Sequence, residues 1–180
     1  MVTTQTMKQR KILIGGLVIA VSAIVLILLT AALTPQQTDP AFAAAVAFAD
    51  AAGRGDDETA VALLDEDMQA FVRDNCPEGR VSLCVESYIP DEWGAFQSVV
   101  FRRAAPVIDS MRDGQASAYD VELIATYAEG KGFSGVCIYQ RMEQNEAGEW
   151  RVAGYAGFVS CGDPESRNMA NNPDAPNRAP

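Results

Sequence analysis

The run of 22 uncharged residues from Ile12 to Leu33 constrains this chain more than any other feature. At about 1.5 Å rise per residue, a helix of that length spans roughly 33 Å, close to the thickness of a bilayer core. Fourteen of the residues are Leu, Ile or Val, and a helix apolar on every face does not suit a water-facing surface. Each such side chain near the bilayer centre favours insertion by roughly 0.3–0.6 kcal/mol, so the whole run is favoured by several kcal/mol. The run is too long for the apolar part of a cleavable export signal, and the exit "LTPQQTDP" makes a poor peptidase site. The sequence therefore predicts a retained transmembrane helix over 12–34, in contact with membrane lipid. Lys8, Arg10 and Lys11 precede it, and no basic residue follows until Arg54. That asymmetry predicts a single-pass cell-membrane protein with residues 1–11 cytoplasmic and the main domain outside.

Charge and cysteine usage fit that address. All 24 acidic residues lie beyond Pro35, with 11 of the 14 basic ones, a net of −13 for the outer part. Such a surface repels nucleic-acid phosphates, so no nucleic-acid partner is expected. Cys76, Cys84, Cys137 and Cys161 are an even set on the side where thiols oxidise, which predicts two disulfides. Their spacings of 8, 53 and 24 lack the C-x-x-C knuckles of a zinc site or a redox motif. No metal and no cofactor is expected. Three pairings are possible, with 76–84 plus 137–161 favoured.

The outer part divides into a short linker at 35–40, one domain at 41–162 and a polar, Pro- and Asn-rich tail at 163–180 that is expected to be disordered. Asp39 and Pro40 predict the start of a helix, and "AFAAAVAFADAAG" carries it with Phe42, Val46 and Ala49 on one stripe and a stop at Gly53. Two shorter helices follow, one started by Asp56 or Asp57, the other capped by Asp65. "CPEGRVSLC" reads as a loop that a 76–84 bridge would close. From about residue 97 the period changes to two. "QSVVFRRAAPVID" reads as a strand whose Pro106 suggests an edge or a bulge. "SAYDVELIATY" reads as a half-buried strand, and "GFSGVCIYQRM" with "EWRVAGYAGFV" as a hairpin around "EQNEAG".

Centring that hairpin on Glu146 pairs Met142 with Trp150 and Ile138 with Gly154. One face then collects Val136, Ile138, Met142, Trp150, Val152, Ala156 and Phe158, the expected core. The other collects Cys137, Tyr139, Arg141, Arg151 and Tyr155. In this register Cys161 sits six positions beyond the residue opposite Cys137, roughly 20 Å away in a straight strand. A 137–161 bridge then needs the chain to turn back near "SCGDP"; otherwise the connectivity crosses to Cys76 or Cys84. Helices followed by about four strands predict an α+β fold, with helices on one face of a curved antiparallel sheet.

That order resembles the NTF2-like (cystatin-like α+β cone) superfamily, particularly its membrane-anchored members. "AFAAAVAFADAAGRGDDETAVALLD" is similar to the family's opening helix, Gly-Asp break and second helix, and "GEWRVAGYAGF" to its closing strand. The resemblance covers about residues 41–159. It implies a cone that serves an isomerase, dehydratase or cyclase in some members and a ligand-binding or accessory domain in others. The enzymes commonly place an Asp, His or Tyr inside the cone. This chain has no histidine, which excludes His-dependent chemistry.

Without histidine, acid–base work falls to carboxylates. Asp120 and Glu122 share a strand face, and in a closed cavity their repulsion would raise one pKa and make an acid–base pair. In water they are ordinary solvated charges. Tyr139, Arg141, Arg151 and Tyr155 would bind an anionic or aromatic ligand through guanidinium forks and ring stacking, or else make cross-strand pairs. Trp93 would rim a pocket or pack in the core. "GKGFSG" at 130–135 lacks phosphate-loop spacing and reads as a turn. The expected function is a membrane-anchored, non-catalytic accessory or binding domain for a small molecule, an envelope protein or a second copy of itself. The alternative is a carboxylate-based lyase or isomerase working in the cone.

Overall fold

A computed structural model describes residues 16–26, 39–87, 89, 91–129, 136–160 and 178–179. Residues 16–26 form a helix with every residue exposed. Among the described residues no helix is long and apolar enough to cross a membrane. The rest of the expected span, 12–15 and 27–34, lies outside them, as does the 130–135 turn.

The domain is α+β. Helix α1 (Pro40–Arg54) starts as its sequence dictates: Asp39 accepts a hydrogen bond from the Ala41 N–H at 2.9 Å, and Pro40 takes the first turn. It ends two residues later than expected, at Gly55, whose φ of 76° permits the left-handed cap. Gly53 lies inside the helix for a different reason. A Cβ there would stand 2.7 Å from the Phe96 ring, so only glycine lets the ring pass. The buried face of α1 is Ala41, Ala45, Phe48, Ala49, Ala51 and Ala52, rather than the Phe42–Val46–Ala49 stripe. Phe42 lies at its edge, stacked on Phe101 at 4.7 Å.

Asp56 caps α2 (Asp57–Ala62) and Asp65 caps α3 (Glu66–Asn75). Their junction is stitched to the sheet: Val152 donates its N–H to Leu63 O at 2.9 Å, and Asp65 N–H donates to Val152 O at 3.1 Å. The Cys76–Cys84 bridge forms, with Cα atoms 5.1 Å apart. The stretch that it closes is not an open loop but a tight turn at Pro77–Gly79 and a further helix, α4 (Val81–Glu86).

Strand β1 (Phe96–Pro106) leads through a small hairpin, β2 (Met111–Arg112) and β3 (Gln115–Ala116), into β4 (Ala118–Tyr127). Then come β5 (Val136–Gln144) and β6 (Trp150–Ser160). The antiparallel sheet runs β1-β4-β5-β6-β7, where β7 is Arg178–Ala179. Thus the end of the tail expected to be disordered returns to pair with Tyr155 and Ala156, where the edge of β6 offers backbone groups. Pro106 closes an edge strand, where its missing N–H costs no ladder bond.

The hairpin turns about Ala147 rather than Glu146, and two bulges then shift the register further. Met142 pairs with Val152, Arg141 with Gly154, Ile138 with Gly157 and Cys137 with Val159. The extra residue at Ala153 reverses the in–out alternation of β6 before Tyr155, and a second extra residue, Phe158, shifts the backbone register again. Tyr155 therefore points to the helices and packs on Phe48, with ring centres 5.4 Å apart, rather than joining Tyr139 and Arg141. The same slippage leaves Cys161 two positions beyond the partner of Cys137 instead of six. Cys137 is disulfide-bonded, and Cys161 lies outside the described residues.

Val121, Leu123, Ile138, Met142 and Val152 form the core under α1, with Trp150 at its edge; the side chains of Ala156 and Phe158 lie outside the described set. Strand β4 is buried on both faces rather than one, since Glu122 and Ile124 are buried opposite the core. Gln140 is the polar exception in the core. It is fully buried between Val121 and Tyr155, and neither amide atom has a hydrogen-bond partner among the described residues.

Two substitutions test this packing. Gly53→Ala is expected to destabilise by about 1–3 kcal/mol, because the clash outweighs the roughly 1 kcal/mol that alanine gains in a helix. Gln140→Met is expected to stabilise by about 1–3 kcal/mol, since it removes an unmatched amide at similar volume. Urea unfolding of each variant at constant m-value reads both signs.

Candidate functional site

The C-terminal turn of α1, helix α4 and the approach to β1 enclose a cavity of about 430 Å³. Its chemistry comes from Arg54, Arg80, Ser82, Glu86, Asp91 and Tyr127, with Phe96 as an apolar wall. Arg80 arrives from the disulfide-closed segment and is clamped by Asp57. The carboxylate accepts from Arg80 Nε, the Ser82 N–H and the Ser82 hydroxyl, each at 2.8 Å. Burial opposes ionisation of Asp57, but these three donors outweigh it and hold its pKa below the ordinary value. The same contact raises the pKa of Arg80, the Asp57 hydrogen bond being the main cause.

Arg54 is fixed in parallel fashion, to Asp50 at 2.8 Å and to Gln97 O at 3.0 Å, with its guanidinium 5.6 Å from the centre of the Phe96 ring. Tyr127 is packed between Trp93 and Phe96, with ring centres 5.6 and 5.7 Å away. Its hydroxyl is buried with no hydrogen-bond partner among the described residues. Burial pushes its phenol pKa upward, so the O–H stays protonated near neutral pH and can both donate and accept. Buried polar groups are normally matched. This one belongs to the wall of a cavity.

The expected site residues lie elsewhere. Glu122 and Asp120 share the sheet face away from the helices. A bulge at Arg102 places two successive arginines beside Glu122, and each carboxylate oxygen is taken, Oε1 by Arg102 and Oε2 by Arg103. Glu122 is only 4% exposed. Asp120 accepts from Arg141 Nε at 2.7 Å, and Arg141 also reaches toward Glu143 at 3.7 Å. Tyr139 and Cys137 are buried on the same face. The Cys137 sulfur is 3.7 Å from Arg102 Nη1.

Asp120 and Glu122 line neither this cavity nor the two wider clefts at Asp65–Asp67 and at Asp39–Pro40. Arg151 is held by Glu149 at 2.7 Å and borders a wider acidic cleft of about 850 Å³ with Asp65, Glu66, Asp67 and Glu146. Burial raises the pKa of Asp65 despite the Met68 N–H that it accepts. Among the described residues no group of three or more carboxylate or cysteine side chains is arranged to hold a metal ion. Trp93 is buried in the core.

The structure thus separates what the sequence grouped. Tyr139 and Arg141 stay together, Tyr155 turns inward, and Arg151 joins a different cleft. The grouping of Arg54, Arg80, Ser82 and Tyr127 around one cavity has no counterpart in the sequence pattern. The nearest signal was the cysteine-bounded insertion that carries Arg80 and Ser82. No family model, curated protein or solved structure matches the chain.

The Asp57 clamp predicts an acid-labile wall. Because the folded carboxyl titrates below its ordinary value of 3.8, its contribution is complete above that pH and is lost as the pH falls through the lower, folded value. Asp57→Asn should cost about 1–3 kcal/mol at neutral pH and flatten the acid limb of the stability profile. Urea midpoints for both proteins at pH 7 and pH 3 measure the difference.

Proposed function

We propose that this chain is a membrane-tethered, non-catalytic binding domain of NTF2-like type, facing the outer side, whose ligand is a small molecule held in the cavity between α1, α4 and β1. The tether is supported by the helical segment 16–26, where seven large apolar side chains are 48–72% exposed. Such a surface is stable only in an apolar medium. The disulfide at Cys76–Cys84 supports an oxidising compartment. Four helices ahead of an antiparallel sheet, with α1 laid across it, support the NTF2-like reading.

The binding role is carried by Tyr127, which lines a cavity whose volume suits a small ligand and whose buried hydroxyl has no hydrogen-bond partner among the described residues. Arg54 and Arg80 are each already neutralised, by Asp50 and Asp57, while Glu86 and Asp91 lie on the same wall. That balance favours an uncharged or zwitterionic molecule with an apolar or planar part for Phe96 and one hydrogen-bonding group for Tyr127. The lyase or isomerase alternative draws no support from Asp120 and Glu122, since both Glu122 oxygens and Asp120 Oδ1 are engaged by arginines.

A fragment screen by ligand-observed NMR on the full chain tests the binding role. Hits should weaken by roughly 2- to 10-fold on Tyr127→Phe, the worth of one hydrogen bond. Hits that ignore this substitution would place binding elsewhere and sink the proposal.

A further inference from the structure

Within the domain only three large apolar side chains are exposed among the described residues: Val100, Ile108 and Met111, at 37%, 85% and 40%. Two of them lie in the connection between β1 and β4, and Ile108 exceeds every apolar residue of the N-terminal helical segment. A single exposed isoleucine needs no explanation. Here, however, the apolar side chains stand on an ordered base. The Ser110 hydroxyl donates to Val107 O at 2.7 Å and accepts from the Ala118 N–H at 3.1 Å. Ser117 N–H donates to Ser110 O at 3.3 Å, and Ser117 O accepts from Gln144 N–H at 3.0 Å. Beyond this base Asp113 and Gly114, with φ of 50° and 80°, make the two-residue turn that closes β2 on β3. The tip is held out from the domain rather than hanging loose.

Its position gives it an occupant. Asp39 and Pro40, where the chain joins the domain from the apolar N-terminal segment, share the walls of a cavity of about 570 Å³ with the hairpin residues Arg112, Gly114 and Ser117. The hairpin flanks the junction, at the end of the sheet that also carries the β5–β6 turn. We infer that the hairpin from Ile108 to Ala116 rests on the bilayer in which the N-terminal segment is lodged, with Ile108 and Met111 entering the boundary between headgroups and acyl chains.

This inference rests on the tether proposed above. Two side chains would bind a free domain to lipid only feebly, but a tethered domain meets the surface at high effective concentration, so they suffice to orient it. The charges at this end include Asp39, Asp109, Asp113, Glu143, Glu146 and Glu149 against Arg112 and Arg151, with an excess of acid. The contact is therefore apolar in origin, and anionic headgroups oppose it.

The test uses the full chain in phosphatidylcholine nanodiscs, with an environment-sensitive fluorophore on Ile108→Cys, on Met111→Cys, or on Glu92→Cys at the opposite end of the sheet. Co-elution with the discs reads the tether separately. The labels at 108 and 111 should be quenched by nitroxide-bearing lipid and shielded from aqueous iodide, at a depth within roughly 5–10 Å of the interface. The label at 92 should behave in the opposite way. Adding phosphatidylglycerol should reduce lipid quenching at 108 and 111. Co-elution with labels at 108 and 111 as open to iodide as that at 92 overturns the inference and leaves the tether standing. Lipid quenching that rises with phosphatidylglycerol also overturns it, as does shielding that follows the number of chains per disc without lipid quenching, the mark of a second copy. Failure to co-elute removes the tether and this inference with it.

Discussion

The domain depends on how closely α1 lies on the sheet. Five of the six buried residues of α1 are alanines, and they let the helix backbone come down onto β4, β5 and β6 without a layer of large side chains between. Phe48 fills the space toward Tyr155 on β6, while Phe42 reaches the other way to Phe101 and Tyr119. The helix is thus pinned on both flanks and close in the middle. A larger residue at Ala45 or Ala49 would lift it and separate Phe48 from Tyr155, because a close-packed interior has no spare volume to absorb the change. The same height places Gly53 against Phe96 and Arg54 over its ring. The cavity at the end of α1 is therefore set by alanines one and two turns before Gly53.

The opposite face of the sheet follows a different logic. Glu122 is buried beside two arginines that reach it only because β1 carries an extra residue at Arg102. Leaving a buried carboxylate without its partners is costly, so the bulge and the ion pairs hold one another in place. This arrangement fixes the register of the β1 edge with polar rather than apolar contacts. Two carboxylates on one strand, a pattern shared with acid–base pairs, are here engaged by arginines of the neighbouring strands.

Local chemistry was legible in the sequence. Asp39, Asp56 and Asp65 all cap helices, because a side-chain acceptor ahead of an apolar repeat has a local meaning. The apolar alternation of "SAYDVELIATY" matches the core face of β4, with Val121, Leu123, Ala125 and Tyr127 in the core and Tyr119 partly buried against it. The eight-residue spacing of Cys76 and Cys84 favoured their bridge. What escaped depends on distant partners. Gly53 looked like a helix stop, and only the position of Phe96, more than forty residues later, shows why glycine is needed there. The bulges at Ala153 and Phe158 left no mark in an alternating pattern, yet the first turned Tyr155 to the other face, and together with a turn centred on Ala147 they bring Val159 opposite Cys137. The cavity escaped for the same reason. Arg54, Arg80, Phe96 and Tyr127 come from four separate segments that meet only once α1 and α4 are in place.

Helix α1 is also a spacer of fixed length. Its 15 residues extend about 22 Å, from the junction at Asp39 to the Gly55 cap beside the cavity. A helix clamped along a sheet cannot shorten, so whatever occupies the cavity is received at a set distance from the point where the chain joins the domain. If that junction sits at a membrane surface, the cavity mouth stands beyond the reach of lipid tails. It would then sample molecules diffusing through the surrounding water, and not ones moving laterally in the leaflet.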